Sequence, residues 1–128
     1  MSLQAARKRY VEDAVKTVTP AKLVTMLYDA LVRDLDLAHA ALTSRDIQTA
    51  HDRLIHAQEI VLELHDSLRV DLWDGGPRLA AIYSWLHAEL VKANVRGNVR
   101  IVADCQRIVE PLREAWTEAA APLASSPA

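Results

Sequence analysis

Apolar residues recur along this chain at alternating spacings of three and four, the repeat of a helix with one face turned to a core. They nowhere alternate with period two for more than a few positions, so no strand of consequence is expected. The first row runs Val24, Tyr28, Leu31, Leu35, Ala38, Leu42, with Leu23, Leu27, Ala30, Leu37 and Ala41 beside it and Asp34 interrupting this second line. A second row, Ile47, Ala50, Leu54, Ala57, Val61, Leu64, Leu68, is an unbroken heptad-type seam and the most regular stretch of the chain. Leu79, Ile82, Tyr83, Leu86, Leu90 and Ala93 form a third, and Val102, Cys105, Val109, Leu112 and Trp116 a fourth.

Punctuation between the rows fixes where the helices begin and end. Thr19 can cap the orphan N–H groups of a first long helix while Pro20 takes its first position without losing a bond, and that helix should reach about Ser44. Ser44 or Asp46 can cap the next, which should reach about Leu68. The stretch from Val70 to Pro77, with Gly75 and Gly76 adjacent, stops it, and a third helix should start near Pro77. Gly97 supplies a stop and Asn98 a start for the fourth. Pro111 falls inside that last helix, where it deletes one backbone bond at a cost of about 3 kcal/mol. Because the apolar register continues unchanged across it, a kink rather than an end is expected. Four helices of roughly 20 residues, about 30 Å each, on short links make an all-α, antiparallel up-down bundle over residues 19–119 the economical topology. Residues 1–18 read as a short N-terminal docking arm or helix, and 120–128 as a disordered tail.

Composition narrows the function classes. A chain of 128 residues with 51% apolar and 25% charged residues is an ordinary one-domain globule, which excludes disorder and a disulfide scaffold. With three Gly and no Phe, sandwiches and barrels are disfavoured. The net charge of -2 gives no global pull toward nucleic acid or an anionic membrane. Arg7, Lys8 and Arg9 are balanced nearby by Glu12 and Asp13, so no nucleic-acid partner is expected. The longest apolar runs span a few residues and the N-terminus lacks an apolar signal core, so the chain reads as soluble and cytoplasmic, without membrane insertion.

Candidate chemistry is sparse. A di-iron bundle needs Glu-x-x-His on two helices, and only Asp36 with His39 approaches that spacing, once and with a shorter carboxylate, so no metal and no cofactor is expected. The five histidines include no H-x-x-x-H pair. Cys105 lies in the core row of its helix, where a thiol packs as a small hydrophobe. Asp74-Gly75-Gly76-Pro77 is a loop breaker without the preceding strand or the Lys of a phosphate cradle, and no nucleophile elbow occurs. An enzyme is therefore disfavoured.

What does stand out is surplus apolar surface. The helix of the second row also carries Ile55, Ile60 and Leu62, and that of the fourth adds Ile101 and Ile108. A core stripe is itself at least about 100° wide, so each of these residues can be core or partner surface. Collectively they suggest an apolar groove on these two helices, of the kind that accepts amphipathic helices from other proteins.

The chain resembles the FliS-type flagellin export chaperones. Tyr10, Val15, Thr17, Thr19, Pro20, Met26, Leu27, Tyr28 and Asp29 match that family's N-terminal pattern. Ala50, His51, Leu54, Ile55, Ala57, Gln58, Ile60, Glu63 and Leu64 resemble its next helical block. Gly75, Gly76, Leu79, Tyr83, Leu86, Leu90, Ala93 and Asn94 follow in order, then Leu112, Arg113 and Trp116, so the similarity spans about Tyr10 to Ala119. Asp13, Ala30 and Pro111 depart from the pattern. The resemblance implies a cytoplasmic monomer that binds the C-terminal segment of flagellin and blocks its polymerisation before type III export. It also implies an arm, with Tyr10 and Val15, that fills part of the groove when flagellin is absent. It leaves open whether an export-gate component or regulator docks too. The alternative from another class is a non-catalytic helical adaptor or homodimerising bundle.

Overall fold

The computed structural model describes residues 3–8, 19–68 and 74–121. Residues 3–8 form a short helical stretch, α1, and four long helices follow: α2 (Pro20–Thr43), α3 (Ile47–Ser67), α4 (Gly76–Arg96) and α5 (Val99–Ala119). There is no strand among the described residues. The expected arm residues 9–18 and tail residues 122–128 lie outside the described residues.

Each helix starts where its cap chemistry permits. Thr19 is extended (φ -66°, ψ 154°), its hydroxyl accepts the Lys22 N–H at 3.1 Å, and Pro20 follows. Of the two candidate caps for α3, Asp46 is the one used: its carboxylate accepts the Thr49 N–H at 3.2 Å, which holds its pKa below the ordinary value. Asn98 caps α5 through the Arg100 N–H, at 2.9 Å. No side chain caps α4, which begins at Gly76 with Pro77 in its first turn. Helix α5 runs unbroken through Pro111, which is exposed, so the carbonyl it strands faces the solvent side.

Two helix ends at one pole of the bundle share a geometry but not a residue type. After α4, Gly97 takes the left-handed conformation (φ 59°) and the Asn98 N–H returns to the Ala93 carbonyl at 3.2 Å. After α2, Arg45 takes it (φ 62°), its N–H reaches the Leu42 carbonyl at 3.3 Å, and the Asp46 N–H reaches Ala41 at 2.8 Å. Both close as Schellman-type turns that satisfy the last carbonyls. A side chain in the left-handed region costs about 1 kcal/mol, which Gly97 avoids and Arg45 does not.

The four long helices form a ring. Helix α2 packs on α3 and α5, α4 packs on the same two, and neither diagonal pair is in direct backbone contact. Tyr28, Leu31, Leu35, Leu54, Val61, Leu64, Leu86, Leu90, Val102, Cys105 and Val109 fill the centre, nearly all at 0% exposure. Burying one such side chain contributes about 1.5–3 kcal/mol. One polar link spans the diagonal: the Tyr28 and Tyr83 hydroxyls lie 2.7 Å apart inside this core. Burial pushes both phenols above their ordinary pKa, so the pair stays neutral and holds α2 and α4 in register.

Asp34, which seemed to interrupt a row, is buried at 2% exposure. Its carboxylate accepts a short bond from His56 Nδ1 and lies 3.4 Å from Arg53 Nη1, both on α3. A buried carboxylate is tolerable when paired in this way.

Candidate functional site: the apolar shoulders of α4

The expected groove on the helices now labelled α3 and α5 needs correction. These helices stand on opposite sides of α4 without direct backbone contact, so no single groove runs between them. Ile60 is 2% exposed and Ile101 9%, and both belong to the core rather than to a partner surface. The reason is width: Ile60 and Ile101 flank the central row closely enough that the ring encloses them. Tyr10 and Val15 lie outside the described residues.

Ile55, Leu62 and Ile108 are exposed, at 36%, 47% and 40%. On α3, Ile55 and Leu62 share a flank with His51, whose Nδ1 lies 3.2 Å from the Asn94 side-chain oxygen of α4, and with His65, whose ring meets Tyr83 of α4 edge-on. On α5, Ile108 shares with Ala115 and Ala119 the flank beside α4, opposite the flank where Arg113 and Gln106 reach α2. The surplus apolar side chains therefore border α4 on its two sides.

Helix α4 adds residues that the sequence reading left out. Trp85 is 42% exposed and Val91 37%, on opposite sides of its outward face. Their signal was present in the sequence as apolar residues outside the row from Leu79 to Ala93. Below Trp85, Leu79 of α4 and Leu112, Ala115, Trp116 and Ala119 of α5 line a cavity of about 290 Å³ with an almost wholly apolar wall. The α4–α5 seam is the most sparsely packed of the four, which leaves this depression open. The surface offers area and shape with few polar anchors, which suits an amphipathic segment rather than a small polar substrate.

Helix α1 lies on the outer face of α3. Arg7 donates to Glu59 at 2.8 Å and approaches the free Nε2 of His56 at 3.4 Å, the ring whose other nitrogen binds Asp34. The basic cluster is thus partly spent within the chain. A shallow cavity between Gln4, Arg7, Lys8 and Leu62 separates arm from bundle, so α1 rests at the edge of the α3 shoulder.

Nothing catalytic is assembled among the described residues. They contain no group of three or more His, Cys, Asp or Glu side chains able to hold a metal, and Asp36 is engaged by the Gln106 amide at 2.8 Å. Cys105 is buried and its thiol is pushed up to about 12, chiefly by burial. No described helix is long and apolar enough to cross a membrane.

Fold and surface together define a helical-bundle binding protein with an exposed apolar face. The family model described as flagellar protein FliS matches residues 2–123. The chain belongs to the FliS family. It is 29% identical over 119 residues to the flagellar secretion chaperone FliS of Bacillus subtilis, covering 93% of this chain and 89% of the relative. The flagellar secretion chaperones FliS of Vibrio cholerae and Escherichia coli are 27% and 29% identical, covering 91% and 90% of this chain and 87% and 86% of theirs. A crystal structure of a bacterial flagellar chaperone superposes with a TM-score of 0.72 at 19% identity, covering 91% of this chain and 95% of its own, which shows the shared fold. Membership makes the chain a flagellar export chaperone, a class without catalytic chemistry.

Proposed function

We propose that this chaperone binds the C-terminal segment of flagellin in the cytoplasm and keeps it from polymerising before export, with the shoulders of α4 as the docking surface. The observation that carries the reading is the distribution of exposed apolar side chains: Ile55, Leu62 and Val91 on the α3 side, Trp85 and Ile108 on the α5 side. A subunit that assembles by packing amphipathic helices carries an apolar face while it waits as a monomer. Covering that face removes the surface through which it would polymerise. Trp85 is the natural anchor, since large aromatic side chains dominate the energetics of such contacts.

The arm is the expected competitor for this surface. Helix α1, which precedes Tyr10 and Val15 in the sequence, is tied to α3 by Arg7 at Glu59. A segment occupying part of the docking surface lowers the apparent affinity in proportion to the closed fraction and shields apolar area in the free protein.

Titration with a flagellin C-terminal peptide, read by calorimetry and size-exclusion chromatography, tests the reading. The expected result is a one-to-one complex whose affinity falls about tenfold or more in Trp85→Ala and in Ile108→Ala, the range for losing a central apolar contact. Amide exchange should accelerate in residues 3–8 as the peptide binds and slow in α3, α4 and α5. Unchanged affinity in both variants would remove the shoulders of α4 from the site. A concentration-dependent homodimer that the peptide fails to dissociate would favour the adaptor alternative.

A further inference from the structure

At the pole opposite Trp116, the α2–α3 and α4–α5 turns face one another across a cavity of about 520 Å³, and none of Ile55, Leu62, Trp85, Val91 and Ile108 lines it. Its floor is apolar, from Ala41, Ala50 and Leu54. Its rim carries the two most exposed aliphatic side chains of the long helices, Ile47 at 78% and Val95 at 80%. Arg45 and Arg96 stand beside them, and among the described residues neither guanidinium has a carboxylate partner. The acids nearest in sequence are engaged elsewhere: Asp46 caps α3 and Asp52 takes the Gln48 amide at 2.9 Å.

Arg45 is the informative residue. Its backbone is left-handed in a turn of the same design as that at Gly97, where open space surrounds the missing side chain and glycine is demanded by backbone angle alone. Glycine would relieve Arg45 in the same manner, yet the strained position holds a long cationic residue that lines the cavity. A favourable interaction with the helix C-terminus accounts for a cation there but not for the exposed Ile47 and Val95.

We propose that this pole is a second docking site, for an acidic segment of a partner protein that inserts an aliphatic side chain between the two turns while its flanking carboxylates meet Arg45 and Arg96. Charge complementarity selects the occupant. Two unpaired guanidinium groups beside an apolar floor favour carboxylates next to an aliphatic residue and repel a basic segment. The apolar contact continues past the cavity onto Ile47 and Val95, which an extended segment covers and a small anion does not. The chaperone would then hold its export substrate along α4 and a separate acidic partner at this end, with neither displacing the other.

The test uses the full chain, isotope-labelled, and a synthetic helical peptide with leucines four residues apart, each flanked by glutamates. In the control peptide every glutamate is glutamine. The acidic peptide is expected to shift the amide signals of residues 41–51 and 94–97 while leaving those around Trp85 and Ile108 in place. Its affinity should fall tenfold or more in the Arg45→Gly, Arg96→Gln double variant, in the glutamine peptide and in 0.5 M salt. Arg45→Gly alone should raise the melting temperature while weakening the peptide, which a purely structural arginine would not do. Shifts absent from this pole, or equal binding by the double variant, would overturn the proposal. So would a peptide-free wild-type dimer that buries these residues, since the occupant would then be a second copy.

Discussion

The α2 half of the ring and the α4 half are held by different forces. Seams flanking α2 are stitched with directional polar pairs: Asp34 with His56 and Arg53 toward α3, Asp29 with Arg113 at 2.7 Å and Asp36 with Gln106 at 2.8 Å toward α5. Seams flanking α4 have little of this. Toward α3 there is the His51–Asn94 bond and a ring contact, and among the described residues no ion pair crosses to α5. Polar stitching fixes register on the α2 side, where Met26 at 37% and Leu37 at 39% are the exposed large apolar side chains. Apolar packing that stops short of the surface leaves the shoulders open, and there a partner helix completes what the chain began.

The largest effect expected from this contrast is kinetic, at Cys105 on the α5 face of the core. With its thiol pushed up to about 12 from an ordinary value of 9.0, its thiolate fraction at pH 8 is roughly a thousandfold below that of a free cysteine. Alkylation followed by mass spectrometry should therefore be very slow in the native state. Labelling much faster than global unfolding, as measured by amide exchange, would reveal local opening of the α4–α5 seam.

Next in size is core truncation. Leu31→Ala on α2 and Leu86→Ala on α4 empty equally buried positions and should each cost about 2–5 kcal/mol in urea denaturation. A loss at Leu86 far below that at Leu31 would mean that the α4 half relaxes into the space. His56→Ala comes below these. It removes one partner of the buried Asp34 carboxylate and leaves Arg53 as the other, at a cost of about 2 kcal/mol, the range for a hydrogen bond to a charged group. The same variant takes an acceptor from Arg7, so amide exchange in residues 3–8 should quicken. Smallest is Arg113→Ala: its pair with Asp29 is half exposed on both sides, and the melting midpoint should barely move, less still in salt.

Helix positions were legible because caps and periodicity are local. Thr19-Pro20, Asp46, Gly97 and Asn98 act within a few residues of themselves, and the structure uses each where it stands. At Pro111 the unchanged apolar register argued for a kink rather than an end, and α5 does continue through it. The site was legible only in part. Surplus apolar residues could be counted, but Ile55 and Ile60 differ only in angle about one axis, and it takes the neighbours at that angle to decide which is core.

By itself, then, the order of residues determined four helices, their ends, the neutral hydrophobic Cys105 and a family membership carried over nearly the whole chain. Tertiary structure alone decided that α3 and α5 lie across a diagonal with α2 and α4 between them, turning one expected groove into two shoulders, and that Asp34 is a paired core residue rather than a break. It also set Tyr28 against Tyr83 across the diagonal and brought Arg45 to the same cavity as Arg96. The physical reason is range. Hydrogen bonds within a turn and the period of a helix are written in neighbouring residues, whereas the ring order of helices, and so which surface stays exposed, depends on pairings between residues many positions apart.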